Sequence, residues 1–413
     1  MRILYFSPHE CWPRDTGAKL RNYYLASQLA ARCPVTYLGL RDPSKASPEP
    51  PPAEAGFAAY HSVPRESTYT VSKLVRGLLG PTPLTVLNYS SARVSRILAE
   101  ILQAGSFDAV QMEGVHLCAY LPVIRSAASR PVILSDWHNI ESEILHRYSR
   151  VHSSPLRRAY AWRTANLLER TETRFLAACD VHTVTSERER VRLQARNPAA
   201  EIHVIPNGVD VQSFGAQELD PGWPRTGLVF AGSMDYSANI DAVVWFANHI
   251  WPELRRQHPA LSFAIVGRDP APEVRALAAG VNRINVTGTV PDVRPYYSGA
   301  LAAVVPLRIG SGTRLKILEA MAAGIPVIST RLGAEGLDLE DGNHLLLADS
   351  AAAMIAAVSR LAGSPELWMR LSRSGREVVS RLYDWRTLTE NLYRIHCTAV
   401  ARARQRDVNS ARF

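Results

Sequence analysis

The chain has 413 residues, 46% hydrophobic and 21% charged, with 47 Lys plus Arg against 38 Asp plus Glu for a net charge of +9. That length exceeds what one hydrophobic core normally supports, so two domains are expected, and the composition excludes the disordered and fibrous classes. Five scattered cysteines, Cys11, Cys33, Cys118, Cys179 and Cys397, form no CxxC or Cys/His spacing, which excludes a zinc framework and fits a reducing compartment.

Residues 1–8 are too short and too soon broken for a signal peptide, and no run approaches the ~18–20 apolar residues of a membrane span, so a cytoplasmic protein is expected. The charge is uneven: residues 1–205 carry +7 and residues 206–413 carry +2. A basic first half points to an anionic partner, either a lipid headgroup surface or a phosphorylated substrate. No recognition-helix, zinc-finger or RNP-type pattern is found, so nucleic acid is not an expected partner.

In chain order, residues 2–7 read as a strand, followed by a loop with Pro13 and Gly17 and a helix bearing Leu20, Tyr23, Tyr24, Ser27 and Leu29 at helical spacing. A strand over 35–40 and a Pro/Ala-rich surface loop over 41–56 follow. Helical stretches near 67–79 and 90–104 precede strands at 108–112 and 132–134, the latter running into Ser135-Asp136-Trp137-His138-Asn139. One long helical region over 139–178 comes next, then strands at 181–185 and 202–205. Turn residues cluster from Pro206-Asn207-Gly208 through Pro224. A second series of strands, at 228–232, 262–266, 284–286, 301–305, 326–329 and 345–347, again alternates with helices. Such alternation predicts mostly parallel sheets with helices on both faces, twice over. The expected division is residues 1–205, a linker at 206–225, a second domain at 226–384, and a C-terminal helix at 385–413 packing back on the first domain.

The most informative stretch is 306–324. A buried strand ends at Pro306, Gly310-Ser311-Gly312 makes a loop, Thr313 is a good N-cap, and Leu315, Leu318, Met321 and Ala322 fall at helical spacing. A strand, a glycine-rich turn and a helix N-terminus converge free N–H groups and the positive dipole end on one spot, which suits phosphate. Arg314 and Lys316 lie in the first helical turn, where a cation is unfavourable unless it faces an anion. Lys316 is one of only four lysines in the chain. Glu319, one turn deeper, offers a carboxylate to two neighbouring sugar hydroxyls. An ordinary capped helix with a solvated charged face is the plainer alternative.

Several motifs in register resemble the retaining GT-B glycosyltransferases of family 4, the glycosyl transferases group 1, over essentially the whole chain. They are Ile205-Pro206-Asn207-Gly208-Val209-Asp210, Phe230-Ala231-Gly232-Ser233-Met234-Asp235, Ile265-Val266-Gly267-Arg268, Gly288-Thr289-Val290-Pro291-Asp292-Val293 and the 306–324 stretch. Asn239-Ile240-Asp241 and Trp245-Phe246 are similar to a sub-group tied to bacterial surface polysaccharides. The resemblance implies an α/β fold of the GT-B type, two Rossmann-like domains facing across a cleft. It implies transfer of a sugar from a nucleoside-diphosphate sugar with retained configuration, in exopolysaccharide or surface glycan biosynthesis, without a cofactor and without a metal.

By the same resemblance, Glu319 binds the donor ribose, Arg314 and Lys316 neutralise the leaving diphosphate, and Gly310, Ser311, Gly312 and Thr313 cradle sugar and phosphates. Val290 and Arg268 lie near the base, Gly232 and Ser233 line the donor site, Gly17 allows close approach to the donor, and His138 faces the donor sugar as a hydrogen-bond donor. Ser311 stands where the family commonly has a glutamate, and Ser233 and Asn239 stand where an Arg…Lys pair is usual. A catalytically silent GT-B subunit that binds nucleotide or a partner is the alternative these departures keep open.

For the acceptor, Asp136, Asn139 and Glu141 flank His138 and are candidates to bind a hydroxyl. Asp136 as an N-cap beside solvated helix positions is the plainer reading. Residues 70–80 combine Lys73 and Arg76 with Leu74, Val75, Leu78 and Leu79, and Arg147, Arg150, Arg157, Arg158 and Arg163 add basic charge. Together they suggest a peripheral contact with anionic membrane around a polyprenyl-diphosphate-linked acceptor, against an ordinary amphipathic core helix.

Overall fold

The computed structural model describes residues 1–14, 16–42, 50–151, 154–214, 224–279, 282–309 and 315–410, with the side chains of 151 and 407–410 left aside. It separates into two compact units, one of Met1–Pro206 with Leu388–Phe413 and one of Asn207–Thr387.

The first unit holds seven strands: β1 (Ile3–Ser7), β2 (Val35–Arg41), β3 (Ala59–Pro64), β4 (Ala109–Glu113), β5 (Val132–Trp137), β6 (Val181–Val184) and β7 (Ile202–Val204). All pairings are parallel, in the order β3-β2-β1-β4-β5-β6-β7. The strand order reverses at β1 and β4, so the crevice beyond their C-terminal ends is where an open α/β sheet offers a ligand site. Central strands are apolar on both faces; Leu4, Phe6, Val110, Met112 and Ile133 all lie in one buried core.

β3 was not expected. Its residues, Ala-Tyr-His-Ser-Val-Pro, are half-buried at the sheet edge and end in a proline, a pattern too polar to stand out before β2 supplies its partner. The helical region expected over 139–178 is two helices, Glu141–Val151 and Pro155–Ala178. Pro155 opens the second because its missing N–H is not needed there.

The second unit holds β8 (Gly227–Ala231), β9 (Ser262–Val266), β10 (Ile284–Gly288), β11 (Ala300–Val305), β12 (Val327–Ser329) and β13 (Leu346–Leu347). They form a parallel sheet in the order β10-β9-β8-β11-β12-β13, whose order reverses at β8 and β11. Phe230, Ile265 and Val304 pack with Ile317, Leu318 and Met321 of helix Leu315–Ala322. Four of that helix's first seven residues are thus fixed by burial, and Lys316 is carried to the sheet's reversal point.

The last helix, Trp385–Ser410, joins the first unit from Leu388 onward. Arg32–Glu390, Arg402–Glu201 and Arg404–Asp108 are exposed ion pairs of 2.5–2.6 Å and contribute little each. His396, fully buried, is the helix's deep contact; its Nε2 lies 2.7 Å from Gln111 Oε1.

Candidate active site

In the first unit the strand ends carry an ionic cluster. Side chains alternate along a strand, so Gln111 and Glu113 share one face of β4, and Glu113 stands opposite Asp136 in the sheet register. Arg21 lies on the inward stripe of helix Gly17–Ala30 with Leu25 and Leu29. Its guanidinium forks onto Asp136, with Nε 2.6 Å from Oδ2 and Nη2 2.8 Å from Oδ1, and its Nη1 donates to the Pro206 carbonyl at 3.0 Å. Arg21 is 1% exposed and Asp136 not at all. Thr183 Oγ1 donates to Asp136 Oδ1 at 2.5 Å. His138, just past β5, points Nε2 at two carboxylates: 2.8 Å from Glu113 Oε2 and 3.4 Å from Asp136 Oδ2.

These contacts set the charges. Burial alone would push the His138 imidazole down, but its hydrogen bonds and charge contacts with Asp136 and Glu113 outweigh it and hold it up at about 9. Burial likewise opposes ionised Asp136, yet Arg21 holds it well below the usual carboxylate range. Burial and the Asp136 charge raise Glu113. The donor atoms of Glu113, Asp136 and His138 lie within 4.8 Å of one another. Arg21 and the protonated ring already match the two carboxylates, so the cluster is balanced as it stands.

Asp136 corrects an expectation. Both its oxygens are taken by Arg21, Thr183 and His138, and it is fully buried in β5, so it is neither an N-cap nor within reach of an acceptor hydroxyl. Asn139 and Glu141 are half-buried beside His138. Burial, with the charge of Glu172, pushes the Glu141 carboxyl up to about 7. Gly17 opens its helix at an exposed N-terminal position, behind Thr16, whose hydroxyl caps the Lys19 N–H.

In the second unit, Lys316 Nζ donates to Asn239 Oδ1 at 2.7 Å and lies 4.0 Å from the Phe230 ring centroid. Asn239 Nδ2 donates to the Ser233 carbonyl at 2.8 Å, tying the lysine to the turn after β8. A side chain at Gly232 would place Cβ 2.8 Å from Asn239 Nδ2 and 2.9 Å from Lys316 Nζ; one at Gly267 would lie 1.6 Å from the Gly232 oxygen. Only glycines allow β8, β9 and the lysine to meet this closely. Arg268 Nε donates to Ser233 Oγ at 3.0 Å, and Ser233 Oγ donates to Asp235 at 2.6 Å. The Glu319 carboxylate makes no hydrogen bond among the described residues, and burial raises it, with Lys316 opposing. Val290 is half-buried against the core. Gly310, Ser311, Gly312, Thr313 and Arg314 lie outside the described residues.

The structure therefore brings Gly232, Ser233, Arg268 and Lys316 together with Asn239, with Glu319 one helical turn from the lysine. It brings His138 together with Glu113 and Arg21, two residues that sequence reasoning missed. The signals existed: Glu113 is an acid ending an otherwise apolar strand, and Arg21 is a cation four residues before buried Leu25.

Two parallel-sheet Rossmann-like units make up the α/β architecture of the GT-B fold. Residues 16–213 match the model "Glycosyltransferase Family 4" and residues 225–364 match "Glycosyl transferases group 1". The phosphatidyl-myo-inositol mannosyltransferase of Mycobacterium leprae is 32% identical over 206 residues, 47% of this chain and 53% of that protein. A glycogen synthase of Mycobacterium tuberculosis is 29% identical over 224 residues, 50% of each. The chain thus aligns with about half the length of the curated relatives it matches. Among solved structures, sucrose-phosphate synthase from Thermosynechococcus elongatus superposes with a TM-score of 0.67 at 19% identity, covering 97% of this chain and 100% of that one. Anabaena HepE in complex with UDP gives 0.63 at 15% identity, covering 96% and 100%. At those identities the likeness is one of fold.

Proposed function

We propose that the protein is a retaining glycosyltransferase that moves a sugar from a nucleoside-diphosphate sugar to a polyprenyl-diphosphate-linked glycan, in exopolysaccharide or surface glycan assembly. The observation that carries this is Lys316, a fixed cation at the reversal point of the second sheet, with Glu319 one turn on, its carboxylate making no hydrogen bond among the described residues. Breaking a sugar–phosphate bond builds negative charge on the leaving diphosphate, and a preorganised cation is worth most where charge develops. Lys316, with Arg314 as the resemblance implies, supplies that charge, so the proposed reaction calls on no metal. Glu319 is suited to accept from the two ribose hydroxyls. His138, kept protonated by the neighbouring carboxylates, is a hydrogen-bond donor to the reacting sugar rather than a base. HepE, similar in fold, binds UDP, which agrees with this donor class.

The lipid-linked acceptor draws support from helix Val71–Leu79. Val71, Leu74, Val75, Leu78 and Leu79 are exposed, while Gly77 and Lys73 face inward. This overturns the ordinary core helix: its large apolar residues are outside. It also removes Lys73 from the basic face, since its Nζ donates to the Ser67 carbonyl at 3.0 Å. Arg163 Nε and Nη2 bind the Leu78 and Gly80 carbonyls at 2.8 and 3.1 Å, clamping the helix end beside exposed Trp162 and Leu156. Exposed apolar side chains on a helix that also carries exposed Arg76 suit the interface of an anionic membrane. Among the described residues no helix is long and apolar enough to cross one. The proposed location is the inner face of the cytoplasmic membrane.

The test is donor turnover: purified protein with a panel of uridine- and guanosine-diphosphate sugars, with and without membrane lipid extract. Nucleoside-diphosphate release from one donor, accelerated by the extract, is expected; thermal stabilisation by nucleotide with no release from any donor would favour a silent subunit.

A further inference from the structure

We propose that Glu113 is the positioning residue for His138, and that it is itself held by a buried hydrogen-bonded chain running through Gln111 to His396 of the C-terminal helix. Glu113 and Gln111 are each 1% exposed and His396 not at all, and residues 111 and 396 are 285 positions apart in the chain. The links are His396 Nε2 to Gln111 Oε1 at 2.7 Å, Gln111 Nε2 to Glu113 Oε1 at 3.0 Å, and Glu113 Oε2 to His138 Nε2 at 2.8 Å.

Chemistry fixes the direction of every link. Gln111 donates through Nε2 to Glu113, so its Oε1 must accept, and His396 must carry its proton on Nε2. Burial pushes His396 down to about 3, which keeps that ring neutral and leaves Nδ1, buried and unpartnered, as a lone pair. Asn22, with its amide turned to satisfy both its ends, donates to Glu113 Oε2 at 3.1 Å. Both oxygens of Glu113 therefore face donors, and a proton placed there would have nowhere to point. Glu113 is held as a carboxylate, the His138 Nε2–H is committed to it, and Nδ1 is the ring nitrogen left for substrate.

The groups that face His138 are Glu113 from β4, Asp136 from β5 with Arg21 of helix Gly17–Ala30 behind it, His116 from the turn after β4, and Glu141 from the following helix. Two carboxylates at one nitrogen keep a proton on both, so Nδ1 offers an N–H and not a lone pair. The chain makes that a built property of the fold, secured from the far terminus. Its catalytic consequence rests on the function proposed above; the geometry does not.

The test reads the ring itself. Histidine ring signals of the full-length protein are followed by NMR across pH, with His138→Gln used to assign the signal. Glu113→Gln keeps the volume and removes the charge, and is expected to lower the His138 titration point by about 1–3 units. His396→Leu removes the first donor and is expected to lower it by less, with His396→Gln, which retains a donor, restoring it. If Glu113→Gln does not fold, Glu113→Asp, which keeps the charge but draws it back by one methylene, is expected to lower the titration point in the same direction by a smaller amount. An unchanged His138 titration in the Glu113 variant overturns the proposal. A shift there with none in His396→Leu overturns the part assigned to the C-terminal helix. Correct ring titrations in a protein that releases no nucleotide would instead count against the transferase reading.

Discussion

Lys316 is held by Asn239: the 2.7 Å bond from Nζ to Oδ1, together with the Phe230 ring 4.0 Å away, fixes a cation whose helix position alone would leave it mobile. Asn239 is uncharged, so it adds no second cation beside Lys316. It orients the lysine instead, tied in turn to the Ser233 carbonyl. Hydrogen bonds to charged groups contribute about 1.5–3 kcal/mol. Asn239→Ala is therefore expected to lower kcat/KM roughly 10- to 100-fold. Steady-state donor kinetics check this, and an unchanged kcat/KM would show that the lysine needs no support.

Arg21 and Asp136 form a buried pair whose removal by halves is costly. Arg21→Met strands a carboxylate that is not exposed at all and is expected to destabilise the first unit by about 3–5 kcal/mol. Pairing it with Asp136→Leu, which removes the stranded charge, should recover much of the loss. Denaturant unfolding of the single and double variants makes the comparison; equal losses would contradict the electrostatic account.

His138 and Glu141 titrate in opposite senses of usefulness. His138 is raised in the folded chain above the ordinary histidine value of about 6.5, so its pairing contributes fully below that pH and is lost as pH rises through about 9. Turnover and thermal stability are both expected to decline through that window. Glu141 is raised to about 7, so stability falls as pH rises from the ordinary glutamate range through that value, and the full cost remains above it. Glu141→Gln should therefore raise the Tm at pH 8. If Glu141 also binds the acceptor, the same change raises the acceptor KM.

The exposed face of helix Val71–Leu79 gives a separable prediction. Leu74→Ser with Leu78→Ser should reduce binding to anionic vesicles severalfold without lowering the Tm, because neither side chain is buried. Raising salt should weaken wild-type binding as it screens the arginines. Vesicle co-sedimentation reads both; binding that ignores the substitutions and the salt would refute the surface.

The alternating sheets were legible because central parallel strands are apolar on both faces, and a run such as 301–305 reads the same alone or folded. The edge strand β3 was not, since its identity depends on β2 beside it. At the site, Gly232, Ser233, Lys316 and Glu319 were visible from motif spacing. Glu113 and Arg21 were hidden because a charge on an inward face looks like a solvated residue until its partner, 25 or 115 positions away, is placed. Asp136 was assigned to substrate for the same reason: its partners could not be counted in one dimension.

The most direct measurement is release of nucleoside diphosphate from the preferred donor by wild type and Lys316→Ala. The account predicts clear release that the substitution lowers about 100- to 1,000-fold, the usual cost of removing one preorganised group from a developing anion. A Lys316→Ala protein that binds and turns over donor like the wild type would contradict it.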